Sequence, residues 1–146
     1  MINFEQFTNI GGSYACKISI RTTGTLGFSQ GALRRFNLEA GDWFFTLHYA
    51  KDEQIIGLRP TQDKTVPNIV RLQRRSVTNS EGRTNVSAQV AARAFFDYYG
   101  IPYGEKVRSF NPTMSDEHKM ILIDLKNPRA QRGGEPEEEE DEPLQE

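Results

Sequence analysis

Polar and apolar residues alternate through Lys17-Ile18-Ser19-Ile20-Arg21, as they do in a half-buried strand. Thr22-Thr23-Gly24 then reads as a turn, and Thr25 to Phe28 as a second short strand. Ser29 is placed to N-cap a helix whose apolar face is Ala32, Leu33 and Phe36 and which ends at Asn37 and Gly41. Trp43 to Tyr49 and Gln54 to Arg59 are β-rich runs around Ala50-Lys51-Asp52-Glu53, a hairpin turn.

The pattern then returns. Ile69 to Arg74 is a strand, Val77 to Gly82 a longer polar connection, and Arg83 to Val86 a short strand. Ser87 is again a candidate N-cap. Val90, Ala91, Ala94, Phe95 and Tyr98 have helical spacing, and Gly100 stops that helix. Lys106 to Phe110 and Lys119 to Leu125 are expected to pair as a hairpin across residues 111–118. Each half therefore reads strand, strand, helix, strand, strand, with the second helix about a turn longer. The junctions align Phe28-Ser29 with Val86-Ser87, and Leu38 to Asp42 with Ile101 to Glu105. Identity between the halves is low, so the repeat rests on pattern. The alternative is an α+β domain in which two similar segments occur by chance.

The expected fold is mainly β with two short helices, a pseudo-twofold barrel of two ββαββ repeats. Residues 1–13 form a lead-in, with Phe4 and Phe7 candidates to pack on the body. Residues 14–126 form the barrel domain, with repeat one about 16–60 and repeat two about 68–126. Residues 127–146 form a disordered acidic tail, because repelling acids with interspersed Pro and Gly cannot bury enough apolar surface to offset ordering.

The stretch from Ile18 to Pro60 resembles an AbrB/MraZ-type swapped-hairpin module. Gly24, Leu26, Phe28, Leu33, Arg34, Leu38, Gly41 and Asp42 fall on its pattern, over about 45 residues, and the second half matches more weakly. The related double-psi barrel has a similar layout, and the sequence does not separate the two. Thr25 stands where the family carries a basic residue, although Arg83 follows Gly82 in the second copy; Ser29 and Ser87 stand where it carries proline. The resemblance implies a tandem barrel whose basic first strands and turns contact DNA. Barrels of this group serve several tasks, so fold alone does not assign one.

Charge changes the picture next. The chain has 18 Lys+Arg and 20 Asp+Glu, a net charge of −2. Residues 135–146 hold 8 of those acids and no base, which leaves a body of 18 − 12 = +6. A basic body beside an acidic tail points to a polyanionic partner. The candidate nucleic-acid-binding residues are Lys17, Arg21, Arg71, Arg74, Arg75 and Arg83 on the matching strands and turns, with Arg34 and Arg35 on the first helix as a second patch. Lys17, Ser19 and Arg21 share one strand face, opposite Ile18 and Ile20. The guanidinium fork suits phosphate. The bland alternative is a solvated, aggregation-resistant strand face.

Catalysis finds no such support. Cys16, His48 and His118 are the candidate nucleophile and bases, and nothing in their spacing brings them together. One cysteine and two histidines make a zinc site a poor reading, and no Gly-rich stretch has phosphate-loop spacing. No cofactor, membrane partner or small-molecule substrate is inferred. No apolar run is long enough to span a bilayer, and the N-terminus lacks a signal-peptide pattern, so the expected location is cytoplasmic. The leading expectation is a non-enzymatic DNA-binding protein, a transcriptional regulator, preferring duplex, with self-association possible. The alternatives are a single-stranded nucleic-acid binder autoinhibited by its acidic tail, with Tyr98, Tyr99 and Tyr103 as stacking candidates, and a protein-interaction or structural module.

Overall fold

The computed structural model describes residues 2–4 and 15–129. The acidic stretch 135–146 and most of the lead-in, Phe7 included, lie outside the described residues. Phe4 is 87% exposed and does not pack on the body.

The chain is mainly β with two short helices. The strands are β1 (Ile18–Ile20), β2 (Thr25–Phe28), β3 (Phe44–Ala50), β4 (Ile55–Thr61), β5 (Val70–Thr78), β6 (Thr84–Ala91), β7 (Arg108–Phe110), β8 (Thr113–Ser115) and β9 (Met120–Asp124). The helices are α1 (Gln30–Arg35) and α2 (Arg93–Tyr99). All nine strands among the described residues join one antiparallel sheet in the order β7-β1-β2-β6-β5-β3-β4-β9-β8.

The sheet curls. β7 and β8 stand at opposite ends of the strand order, yet only Asn111 and Pro112 separate them in sequence. Three Cα–Cα steps reach at most about 11 Å, whereas nine flat strands would put the edges about 38 Å apart. The two edges therefore come together in a curved, barrel-like half-shell.

The concave face carries the core. Ile18, Ile20, Leu26, Phe28, Leu72, Ala88 and Val90 come from one half of the sheet. Phe45, Ile56, Leu58, Ile121 and Ile123 come from the other, and α1 and α2 add Ala32, Leu33 and Phe96. Phe28 stacks on Phe45 with ring centroids 5.5 Å apart. Burying each Ile or Leu here contributes about 1.5–3 kcal/mol.

Local signals explain the turns and the first helix. Gly24 takes φ +86° in the β1–β2 turn, which a side chain would resist. Ser29 caps α1: its Oγ accepts from the backbone N–H of Ala32 and of Lys17, and donates to Ala15 O. Both helices end alike. Asn37 and Gly100 take φ +58° and +67°. Leu38 N donates to Leu33 O, and Ile101 N donates to Phe96 O. Gly41 and Gly104 follow at φ +90° and +103°.

Three sequence expectations change. Ser87 lies within β6, opposite Arg75, and caps nothing; α2 starts at Arg93 after Ala92, so the two helices have 6 and 7 residues. Strand pairing with β5 and β2 outcompeted helix initiation there. The expected hairpin between Lys106–Phe110 and Lys119–Leu125 does not form. β7 pairs with β1, and it is β8 that turns back onto β9. Finally, β1 is covered on both faces: Lys17, Ser19 and Arg21 are as buried as Ile18 and Ile20.

Candidate nucleic-acid interface

β5 and β6 are longer than the strands beside them. They pair from Leu72↔Val90 to Thr78↔Thr84. On one side β2 covers β6 only from Ala88 to Ala91, and on the other β3 pairs β5 only at Val70 and Arg71. Beyond Ala88 the two strands continue as a ribbon for about 14 Å, at about 3.4 Å per residue. The tip is an Asx turn: Asn79 Oδ1 accepts from the backbone N–H of Glu81 and Arg83, and Gly82 supplies φ +85°. Thr78 and Thr84 hydroxyls bond at 3.0 Å across its neck.

The ribbon is basic. Between Val70 and Ala91 stand Arg71, Arg74, Arg75 and Arg83 against a single acid, Glu81. At its root is a recess of about 230 Å³ lined by Gln73, Arg74, Arg75, Ala88 and Gln89. Gln73 faces Gln89, and Arg74 faces Ala88, across the strand pair. Arg74 donates from Nη1 to Leu38 O at 3.2 Å, just past the C-terminal end of α1, where exposed carbonyls favour a cation.

The eight sequence candidates separate into three groups. Arg74, Arg75 and Arg83 lie on the ribbon, and Arg71 at its base, where Asp42 approaches it at 3.5 Å. Lys17 and Arg21 are buried, 2% and 1% exposed, so they form no open basic face. Period-two alternation set their parity correctly but could not tell that both faces of β1 are covered. Arg21 nevertheless reaches the recess indirectly, because its Nη1 donates to Gln89 Oε1 at 3.0 Å. Arg34 and Arg35 are exposed at the last turn of α1. Arg34 pairs with Glu39 at 3.2 Å, and Arg35 lies 5.9 Å from the Phe36 ring centroid; neither lines the recess.

Gln73 and Gln89 were absent from the sequence candidates. Sixteen positions separate them, and only the hairpin register makes them neighbours.

The remaining reactive side chains are dispersed. Cys16 sits beside Arg35, and burial outweighs that cation to push its thiol up. His48 bonds Thr46 Oγ1 at 2.7 Å, and burial together with Arg59 holds it below the usual histidine range. His118 lies 4.0 Å from Glu117. Among the described residues no three His, Cys, Asp or Glu side chains gather to hold a metal, and no helix is long and apolar enough to cross a membrane.

The aromatic candidates divide as well. Tyr99 packs against Tyr49 and Phe95, with ring centroids 5.1 and 5.3 Å away. Tyr103 accepts from Arg93 and donates to Asp97. Tyr98 is 80% exposed. No protein-family model, curated protein or solved structure matches this chain.

Proposed function

We propose that this protein binds nucleic acid, duplex DNA before single strands, through the β5–β6 ribbon, and that its role is transcriptional regulation. The observation that carries the reading is the ribbon itself: a two-stranded basic arm that outruns both neighbouring strands. The major groove of B-DNA, about 12 Å wide, admits an element of this kind. Arg74, Arg75 and Arg83 supply charge for phosphates, and Gln73, Asn85, Ser87 and Gln89 lie on one face of the arm as hydrogen-bonding groups.

We also propose that the chain is a tandem duplication of AbrB/MraZ-like or double-psi type. The six strands β7-β1-β2-β6-β5-β3 keep their order, reversed, when β1, β2 and β3 exchange with β5, β6 and β7. The matching helix ends support the same reading.

Fluorescence anisotropy with a duplex, its single strands and an RNA of the same sequence, at two salt concentrations, tests the function. Arg75→Ala with Arg83→Ala should weaken duplex binding and reduce the slope of log affinity against log salt by about 2. Wild-type affinity and slope in that variant would sink the assignment. Stronger binding of single strands than duplex would favour stacking on exposed Tyr98 instead.

A further inference from the structure

The recess at the root of the ribbon has a property that its arginines alone do not explain. Arg21 springs from the end of β1, crosses β2 and ends on Gln89 of β6. It can cross because the β2 residue opposite Gln89 is Gly27. A Cβ at Gly27 would lie 3.2 Å from Arg21 Cδ, tighter than ordinary contact. A guanidinium has donors only, so the oxygen of the Gln89 carboxamide must face it. The NH2 is then the end of the carboxamide that Arg21 does not engage, on a residue that lines the recess.

We infer that this recess is a seat for a phosphate group, with Arg21 as the positioning residue that presents the Gln89 NH2 to it. Arg74 and Arg75 line the same recess, and Gln73 stands directly opposite Gln89. Arg75 shares a strand face with Gln73 and Gln89, whereas Arg74 alternates to the other face and there donates to Leu38 O. Among the described residues no carboxylate lines the recess. A tetrahedral oxyanion is the ligand chemistry that a donor-rich lining matches. The source is either a backbone phosphodiester or a free phosphate or phosphomonoester. The seat rests on the ribbon reading for the first source only.

The test uses the full chain labelled with nitrogen-15, titrated with inorganic phosphate, a thymidine dinucleotide diester and a short duplex. The Gln89 side-chain NH2 resonance should move on adding phosphate or diester. Gln89→Glu keeps a partner for Arg21 but replaces the donor with a carboxylate. It should weaken phosphate by about ten- to a hundredfold, the equivalent of one hydrogen bond to a charged group. Gln62→Glu adds the same charge at an exposed position outside the recess and should change little. Gly27→Ala, which alters no lining residue, should weaken phosphate in the same direction as Arg21 is displaced. Arg21→Lys, which still donates to Gln89, should retain more affinity than Arg21→Met.

An unmoved Gln89 resonance at saturating phosphate, or equal effects of Gln89→Glu and Gln62→Glu, overturns the seat. Duplex binding that survives Gln89→Glu unchanged overturns the backbone phosphodiester as the source, while leaving the ribbon as the interface and the seat to a free phosphate or phosphomonoester. Phosphate binding lost in Gln89→Glu, in a protein that binds no duplex, upholds the seat and removes the nucleic-acid reading.

Discussion

Ser19 and Ser109 meet across β1 and β7, their hydroxyls 2.7 Å apart and both buried. Each satisfies the other away from water. Ser19→Ala should therefore cost about 1–3 kcal/mol, because the Ser109 hydroxyl loses its partner without regaining solvent. Adding Ser109→Ala should cost less than the sum of the single changes; urea unfolding of the three variants measures the coupling. His48 makes a pH prediction. Its pKa is held down by burial and by Arg59, so the neutral ring favours the fold. As pH falls below about 6.5 the unfolded chain takes up the proton first, and that stability is lost as pH approaches the lower folded value. Thermal melts from about pH 7 to about pH 5 should fall more steeply for wild type than for His48→Gln. Single residues were legible where one local rule governs them. Ser29 is a cap by its chemistry and place in the chain. Gln89 is not legible, because its partners Arg21 and Gln73 are fixed by two separate strand pairings.

At the scale of elements, the ribbon is the part whose behaviour separates from the rest. Its outer residues pair with each other and with no further strand among those described. Ser76 and Val86 are directly opposite, so a two-residue Asn-Gly turn can replace Val77 to Asn85 in register. Circular dichroism melts of this shortened protein should stay within about 1 kcal/mol of wild type, since no core residue is removed. Its duplex affinity should drop with the loss of Arg83 and of the arm's reach. A shortened protein that binds as tightly as wild type would move the interface elsewhere. The sequence reading ended this strand at Arg74 and took Val77 to Gly82 as a longer polar connection, so it did not show that the hairpin outruns its neighbours. That depends on where β2 and β3 end, and they end because Ser29 starts a helix and Gly41-Asp42 closes a turn before β3.

For the whole molecule, the question is how charge and closure combine. Removing residues 135–146 takes away 8 acids and changes the net charge from −2 to +6. Duplex binding should tighten on that deletion at low salt, and the difference should shrink as ionic strength screens it. Unchanged low-salt affinity would show that the tail does not act on the interface. Closure rests on Asn111 and Pro112, which carry the chain from one sheet edge to the other. This link also explains why the expected hairpin fails. A strand that must serve both edges pairs half its length with β1 and half with β9.

The amino-acid sequence by itself determined elements whose causes are local: most strands, though not β8 or the second half of β6, the cap at Ser29, the stops at Asn37 and Gly100, and the separation of a basic body from an acidic end. Alternation also determined which residues share a face of β1. Tertiary structure alone decided which faces are covered, which strands are neighbours and which arginines reach solvent. The physical reason is that parity and capping are properties of a few consecutive residues. Burial of Lys17 and Arg21, the alignment of Gln73 with Gln89, and the crossing of Arg21 over Gly27 each need strands that are distant in the chain to be brought side by side.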